Sequence, residues 1–372
     1  MARTKQRSSS LPSISAIAFP ANTELVGLVF ELKSADGGAL YPQYAIGLHA
    51  WFLDQVRQKN PELSAKLHDD RDEKSFTLSG LEGKITTSGR QLYLEPGETY
   101  RWYLGALSRP VVEWMESWLQ NLPTEVGLRD VSLKIKSVAI AHPPTNYTSL
   151  LPTETQTKKS LTLSFVTPTS FRRKGVHLSL PIPSNVFHSY LRRWNNFSGI
   201  MYDQEEFLQW VDECVWITRH RIESVKVAAG KKGMVTGFTG AVEFSLTREA
   251  KERSEFVQLF YALGKLAPYC GTGHKTTFGL GQTRLGWLSE SSELPGLEIQ
   301  LAQRIEELTE ILMTTQKRTG GERARDVSEI RATILARREF GESLQDIAAD
   351  LEMPYETVKT YVKLARKAIC DR

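Results

Sequence analysis

Residues 271–282 read Gly-Thr-Gly-His-Lys-Thr-Thr-Phe-Gly-Leu-Gly-Gln, a glycine-rich stretch around which the rest of the chain is arranged. Two Gly-x-Gly pairs enclose a polar core, and the stretch supplies these predicted contact residues: Gly271, Gly273, His274, Lys275, Thr276, Thr277, Gly279 and Gly281. Because glycine lacks a Cβ and tolerates positive φ, such a loop can present backbone N–H groups to a phosphate. Lysine and threonine side chains would add charge and hydroxyl contacts. We predict a clamp for RNA phosphates, although a tight turn between two elements would use the same glycines.

The distribution of charge points to a polyanionic partner more than the total does. The net charge of the 372 residues is only +4, but no Asp or Glu occurs in residues 155–202, 224–242 or 256–289. Acid-free basic segments are typical of polyanion binding. We add to the predicted RNA contacts the basic residues of two such segments: Arg172, Arg173, Lys174, Lys231 and Lys232. A solvated basic face without a ligand is the open alternative.

Cysteine use and the N-terminus indicate a cytoplasmic protein. The three cysteines are far apart and show no metal-ligand spacing, which favours a reducing compartment. Residues 1–20 begin with a basic, Ser-rich stretch that lacks the apolar core of a signal peptide, so we predict a disordered tail. Nothing approaches the roughly 18 apolar residues of a membrane span.

The first half of the chain has the element order of a ferredoxin-like domain over residues 21–145. The patterns predict, in order, a strand at 25–33, a helix over about 43–59, strands near 75–79, 91–95 and 99–106, a helix near 110–121 and a strand at 131–140. Such an order gives helices packed on an antiparallel sheet. Residues 141–157, which begin Ala-His-Pro-Pro-Thr-Asn, are predicted to be the linker.

The second half, residues 158–290, repeats this order and contains the glycine loop. The predicted elements are a strand around 161–165, helices through Trp194 and near 203–213, a hairpin of 215–228 with 235–246, a helix at 254–266 and a closing strand at 282–288. The loop therefore falls between the last helix and the last strand of a second ferredoxin-like domain. Only the element order supports the duplication, because no close sequence repeat accompanies it.

The last part of the chain is predicted to be helical. Residues 291–321 form a charged helical linker, and residues 322–372 hold three helices with a tight turn at Met353-Pro354, as in a helix-turn-helix. The third helix carries one basic face, which predicts these DNA contacts: Lys359, Thr360, Lys363, Arg366 and Lys367. A small packing or dimerisation bundle would show the same pattern. The predicted fold is thus α+β, with two tandem ferredoxin-like (RRM-like) domains followed by a small all-α helix-turn-helix domain.

The residues favour chemistry that uses the RNA itself. The glycine loop lacks the Walker order, and no HExxH or paired Cys-x-x-Cys occurs, so no metal or cofactor is predicted. RNA can be cleaved by its own 2′-hydroxyl when a base, an acid and cations assist, and histidine suits proton transfer near neutral pH. Among the seven histidines, His49 lies at the edge of an apolar helical stripe that contains Phe52 and Val56. Periodicity alone fits a core histidine as well.

Three stretches resemble the CRISPR-associated endoribonucleases of the RAMP superfamily, which process precursor CRISPR RNA. The glycine loop resembles the C-terminal glycine-rich motif of that family. The segment from Phe165-Val-Thr-Pro-Thr-Ser-Phe171 to Pro181-Ile-Pro183 resembles the opening of its second domain. Gly237-Phe-Thr-Gly240 with Val242-Glu-Phe244 resembles its later hairpin strand, and the likeness spans roughly residues 20–290.

The resemblance implies a metal-independent endoribonuclease that cleaves within the repeat and leaves a 5′-hydroxyl and a 2′,3′-cyclic phosphate. The family's catalytic histidine sits on the first helix, where His49 lies here, and a tyrosine assists some members, for which Tyr41 is the candidate. No lysine falls at the matching helical position. The expected partner is CRISPR repeat RNA. Two alternatives stay open: a non-catalytic RAMP subunit that binds RNA among other subunits of a CRISPR effector complex, and a regulator that binds DNA through the C-terminal helices.

Overall fold

The computed structural model describes residues 17–68, 73–88, 91–152, 160–173, 176–228, 234–288, 296–314 and 322–370. Within the N-terminal domain the elements are β1 (Leu25–Lys33), β2 (Gly38–Leu40), α1 (Tyr44–Lys59), α2 (Pro61–His68), β3 (Phe76–Glu82), β4 (Ile85–Ser88), β5 (Gln91–Leu94), β6 (Thr99–Ala106), α3 (Arg109–Leu119), β7 (Glu125–Gly127), β8 (Ser132–Thr145) and α4 (Tyr147–Leu150). The second domain and the C-terminal unit continue with β9 (Ser160–Thr169), β10 (Phe171–Arg173), β11 (Val176–Leu178), α5 (Pro183–Phe197), α6 (Gln204–Cys214), β12 (Val215–Ala228), β13 (Met234–Leu246), α7 (Ser254–Cys270), β14 (Thr283–Leu285), α8 (Gly296–Thr314), α9 (Glu322–Glu339), α10 (Leu344–Leu351) and α11 (Tyr355–Cys370).

The two sheets have the same antiparallel topology. Strands run in the order β3-β6-β1-β8-β7 in the first and β12-β13-β9-β14 in the second. In the first sheet β6 and β1 are central and are flanked by β3 and β8. In the second sheet β13 and β9 are central and are flanked by β12 and β14. This is the arrangement of a ferredoxin-like domain. The buried alternation of β1 explains its central place, since Val26, Leu28 and Phe30 are fully buried. The predicted fold class is confirmed by this topology and by the similarities reported below.

Several sequence boundaries differ from the structure. Residues 141–145, predicted as linker, belong to β8, because Pro143 and Pro144 lie in a bulge opposite β1, where the missing N–H groups cost no ladder bond. The α4 turn follows directly, and its Tyr147 packs edge-on against Trp194 with 5.3 Å between ring centroids. Helix α7 continues to Cys270, four residues past its predicted end, and the closing strand shortens to β14. At the N-terminus Phe19, predicted within the tail, is buried, and its N–H donates to Glu116 at 3.1 Å.

Helix α7 joins the two domains because it is apolar on nearly every side. It packs on β14 and β9 of its own domain and on β1, β3 and β6 of the other. Polar groups fix the junction: Thr77 Oγ1 donates to the Tyr269 carbonyl at 3.0 Å, and the Tyr269 hydroxyl donates to the Pro143 carbonyl at 2.8 Å. A helix that is hydrophobic all round must be covered on both faces. The two ferredoxin-like domains are therefore held in one arrangement at this helix.

The C-terminal unit, α8 to α11, packs against the N-terminal domain through one continuous hydrophobic cluster. In the helix-turn-helix, Ser343 caps α10 by accepting from the Asp346 N–H at 3.1 Å, and Glu352 ends that helix in the left-handed region at φ 53°. A buried ion cluster ties the unit to the loop before β8, and its members are Arg129, Arg337, Glu342 and Asp350. The Arg337 side chain is fully buried and bonds both carboxylates. The unit is thus docked firmly on the body of the protein.

Candidate active site

A cleft of about 790 Å³ lies where the two ferredoxin-like domains and the C-terminal unit meet. Helices α1 and α2 form one wall, the glycine loop and β10–β11 a second, and α9 with the end of α10 a third. Ligand sites of proteins are commonly concave and fall in this range of volume at domain junctions. The cleft is therefore the candidate site, and its residues come from positions as distant in sequence as His49 and Glu352.

His49 is held in this cleft by the glycine loop. Its Nδ1 lies 3.2 Å from the carbonyl oxygen of Thr277, and its ring stacks on Phe278 with 4.3 Å between centroids. A carbonyl oxygen only accepts hydrogen bonds, so Nδ1 carries a proton, and in the neutral form of the ring the lone pair lies on Nε2. His49 is half-buried and lines the cleft. It is therefore not the fully buried core histidine that the helical periodicity also allowed.

The glycine loop is built by close backbone contacts. Gly273 has φ +78°, and a Cβ at this position would lie 2.2 Å from the Ser170 carbonyl oxygen. Gly281 has φ +70°, and its Cβ would lie 2.0 Å from the Thr272 carbonyl oxygen. Only glycine satisfies both restrictions, because an L side chain is strained at positive φ and has no space here.

Most backbone amides of the loop donate to protein acceptors, which leaves fewer of them for the predicted phosphate cradle. Eight N–H groups of the stretch donate to protein acceptors, namely those of Gly271, Thr272, Gly273, His274, Phe278, Gly279, Gly281 and Gln282. Two loop contacts cross to β3, since Leu78 N donates to Thr276 O at 3.0 Å and Gly279 N donates to Leu78 O at 3.2 Å. Four residues of the loop line the cleft, namely His274, Lys275, Thr277 and Phe278.

Arg193, which sequence reasoning did not assign to the site, holds the loop from beneath. Its guanidinium is buried and donates to the Gly273 carbonyl at 2.9 Å, to Thr276 Oγ1 at 3.3 Å and to Ser189 Oγ at 2.8 Å. Charged donors to backbone carbonyls are among the stronger hydrogen bonds. The pair Arg192-Arg193 on a predicted helix was the only sequence signal, and it did not distinguish a buried arginine from a surface one.

His274 is half-buried and lines the same cleft as His49. Its Nδ1 donates to the Ser170 carbonyl at 3.0 Å, and its ring stacks on His177 at 5.0 Å. The pKa of His274 is lowered to about 4, chiefly by burial and also by the neighbouring cations Lys275 and Arg172, against the opposing effect of the Ser170 contact. His274 is therefore neutral at physiological pH and supports the loop without adding positive charge.

Cations and carboxylates face each other across the cleft. The basic side chains that line it are those of Arg57, Lys74, Arg172 and Lys275. The C-terminal unit contributes the acidic side chains of Asp326, Glu329, Asp350 and Glu352, and on α1 Asp54 also lines the cleft, where it pairs with Arg57. Sequence reasoning missed this acidic wall, because nothing in the sequence places α9 and α10 beside α1.

The remaining predicted site residues do not line the cleft or are not fully described. Tyr41 is buried outside the cleft lining, under the guanidinium of Arg129 at 4.5 Å from its ring centroid, and burial raises its pKa. The structure therefore does not bring Tyr41 to His49. Lys174, Lys231 and Lys232 lie outside the described residues, and of Arg173 only the backbone is described. The predicted DNA contacts on α11, Lys359, Thr360, Lys363, Arg366 and Lys367, are all exposed.

Two properties of the described residues bear on wider function classes. No group of three or more His, Cys, Asp or Glu side chains in the described part of the chain is arranged to hold a metal ion. Among the same residues, no helix combines the length and the apolar character needed to cross a membrane.

Family models match both ferredoxin-like domains and the C-terminal unit. The model of the CRISPR-associated endoribonuclease Cas6 matches residues 163–283, and that of the Cas6 N-terminal domain matches residues 27–105. The model of sigma-70 region 4 matches residues 330–369, which agrees with an appended helix-turn-helix.

Curated relatives and solved structures agree with these matches. A Cas6 endoribonuclease of Mycobacterium tuberculosis is 25% identical over 214 residues, covering 52% of this chain and 65% of that protein. One of Streptococcus thermophilus is 23% identical over 163 residues, covering 43% of this chain and again 65% of the relative. The matches thus span slightly less than two thirds of these relatives' length.

Among solved structures, a Cas6 product complex is 27% identical with a TM-score of 0.55, covering 70% of this chain and 99% of that one. The Cas6 of Thermus thermophilus is 25% identical with a TM-score of 0.53, covering 72% and 100%. The suspected family is confirmed: the chain belongs to the Cas6 family of CRISPR-associated endoribonucleases and carries an appended helix-turn-helix unit.

Proposed function

We propose that the protein is a metal-independent endoribonuclease that cleaves precursor CRISPR RNA within its repeats. The observation that carries the proposal is the hydrogen bond from His49 Nδ1 to the Thr277 carbonyl at 3.2 Å, inside a cleft that Arg172 and Lys275 also line. Relatives named as CRISPR-associated endoribonucleases support the same reaction class.

The contact with Thr277 suits His49 to act as a general base. With its proton on Nδ1, the ring accepts the 2′-hydroxyl proton of the substrate on Nε2, and the positive ring that forms stays hydrogen-bonded to the carbonyl. The 2′-oxygen then attacks the adjacent phosphorus and displaces the 5′-oxygen of the next nucleotide. The products are a 2′,3′-cyclic phosphate and a 5′-hydroxyl.

Neighbouring groups supply the charge and the second proton. Arg172 and Lys275 are cations in the same cleft, and cations that face a phosphate stabilise the extra negative charge of the transition state. The leaving 5′-oxygen takes its proton from an acid of the cleft, for which His68, His177 and Lys275 are the candidates. The predicted RNA contacts of the glycine loop enter the proposal as side chains rather than as an amide cradle.

The test is cleavage of a 5′-labelled repeat RNA, from a CRISPR array of the source genome, in excess EDTA. We expect one cut within the repeat and a cyclic phosphate on the upstream product, detected by mass spectrometry. His49→Ala should lower the single-turnover rate at least 100-fold, which is the lower end of what positioned proton transfer contributes, about 10²–10⁴-fold. His220→Ala is the matched control, because His220 is an exposed histidine outside the cleft lining.

Two results would redirect the assignment. Full activity of His49→Ala would remove His49 from the reaction. Tight binding of the repeat without cleavage would favour the second candidate, a non-catalytic RNA-binding subunit of a CRISPR effector complex.

A third candidate, DNA binding by the C-terminal unit, is favoured by one specific observation. All the predicted contact residues on α11 are exposed, in a segment that matches sigma-70 region 4. Because the unit shares a hydrophobic cluster with the N-terminal domain, its test is a point variant rather than a deletion. Lys363→Ala/Arg366→Ala should weaken duplex-DNA binding and flatten its salt dependence, and an unchanged salt slope would exclude this face.

A further inference from the structure

The acidic wall of the cleft has no use in the proposed reaction. Asp326 and Glu329 on α9, and Glu352 at the end of α10, face the same cavity as His49 and the cations Lys74, Arg172 and Lys275. RNA carries a negative charge at every nucleotide, so carboxylates beside its binding site repel it. A cleft that only had to bind RNA would not need this wall.

The acidic wall is held in a fixed position, so RNA that enters the cleft does not displace it easily. The unit that carries it shares a hydrophobic cluster with the N-terminal domain, and Arg129 reaches across the boundary to Asp350 at 2.6 Å. Asp350 also pairs with the buried Arg337 at 2.6 Å, so it serves to anchor the unit. The three carboxylates that remain, of Asp326, Glu329 and Glu352, are presented to the cleft on a fixed support.

We propose that Asp326, Glu329 and Glu352 act as an electrostatic selectivity filter on the RNA that enters the His49 cleft. They lower the affinity of the cleft for any phosphate backbone by attracting the cations opposite and repelling the strand. An RNA then occupies the cleft only when contacts elsewhere on the protein supply the missing affinity, so that incidental cellular RNA is not retained. The inference rests on the proposed function, since it deepens the choice of substrate at that same site.

The test uses the full-length protein and an RNA that cannot react. A fluorescent single-stranded repeat RNA with a 2′-deoxy nucleotide at the mapped cleavage position, and a scrambled RNA of equal length, are titrated by fluorescence anisotropy. If no cut is found, the deoxy nucleotide is placed at every position, so the binding test remains possible when the proposed function fails. The variant is Asp326→Asn/Glu329→Gln/Glu352→Gln, which keeps the shape of each side chain and removes its charge.

The control must change the total charge equally, away from the cleft. Glu98→Gln/Glu205→Gln/Glu310→Gln does so, because these three side chains are exposed, before β6, on α6 and on α8, and do not line the cavity. Thermal unfolding of both triple variants verifies that they are folded.

We expect the cleft variant to bind both RNAs about tenfold more tightly than the wild type at low salt, and the control variant to change affinity less than threefold. The salt slope of the cleft variant should become steeper by about 2, because about three cations become available to phosphates at roughly 0.7 per contact for a single strand. Equal affinities of the two triple variants, or weaker binding by the cleft variant, would overturn the filter. If the wild type binds but does not cut repeat RNA, the proposed function fails while the filter remains measurable.

Discussion

Replacing Gly273 with alanine tests the claim that the glycine loop is a rigid support for the cleft. Gly273 has φ +78°, and the new Cβ would lie 2.2 Å from the Ser170 carbonyl oxygen. The residue cannot shift freely, because its N–H donates to Ser189 Oγ at 2.8 Å and its carbonyl accepts from Arg193 at 2.9 Å. Relief of the clash therefore breaks buried hydrogen bonds.

Two costs add at this position. An L residue in the left-handed region costs about 1–2 kcal/mol, and forcing an extra carbon into a packed site costs about 1–3 kcal/mol. We therefore expect Gly273→Ala to lower the free energy of unfolding by about 3 kcal/mol. Gly199→Ala is the matched control, because Gly199 has φ +71° but no atom lies within 4 Å of an added Cβ. Only the cost of the left-handed backbone applies there, so we expect Gly199→Ala to lower the free energy of unfolding by about 1 kcal/mol. The loss of unfolded-state entropy on Gly→Ala is common to both and cancels in the comparison.

The measurement is urea unfolding followed by circular dichroism, with single-turnover cleavage of repeat RNA as a second readout. Gly273→Ala should also slow cleavage, because displacement of the loop moves Thr277 away from His49, whereas Gly199→Ala should cleave normally. Equal destabilisation by the two variants would refute the reasoning, since it would mean that the loop relaxes around the Cβ.

Three further predictions concern the cleft and its supports. Phe278→Leu removes the ring that stacks on His49 and should slow single-turnover cleavage about fivefold with an unchanged Kd for RNA, since such a stack is worth about 1 kcal/mol; an unchanged rate would contradict its orienting role. The pKa of His274 is about 6.5 in the unfolded chain and about 4 in the folded protein, so the unfolded chain takes up the proton first as the pH falls. The free energy of unfolding should therefore decrease between pH 6.5 and pH 4, by about 3 kcal/mol in total. His274→Asn should lose that part of the pH dependence in thermal melts, and identical pH profiles would argue against it. Arg337→Met leaves buried carboxylates with one cation fewer and should cost about 3–5 kcal/mol by thermal unfolding, whereas an unchanged Tm would show that Arg129 suffices.

The sequence predicted the fold well where local pattern and long-range pairing agree. The alternation of β1 and the order of elements in each half sufficed for the two ferredoxin-like domains, because that topology pairs strands that those patterns already mark. The linker was misplaced since Pro143 and Pro144 are usual turn signals, and only the pairing with β1 reveals the bulge that accommodates them.

The candidate site was predictable only in part. His49 and the glycine loop were each identified, but their contact across the domain junction depends on how α7 packs between two sheets, which no local pattern encodes. Tyr41 was chosen for its place before α1, yet its ring is used to pack Arg129. The role of the loop amides was missed for a similar reason, because glycine content does not show whether an N–H points to a ligand or to a neighbouring carbonyl.

The three-walled construction of the cleft also fixes when it can first exist during synthesis. The helix that carries His49 leaves the ribosome early, but the carbonyl that orients it follows more than two hundred residues later, and the acidic wall ends at Glu352. Domains fold as they emerge, at about 5–20 residues per second, so the second wall trails His49 by at least ten seconds. For at least that long a nascent chain carries His49 without the carbonyl that orients it, so the cleft is not yet assembled.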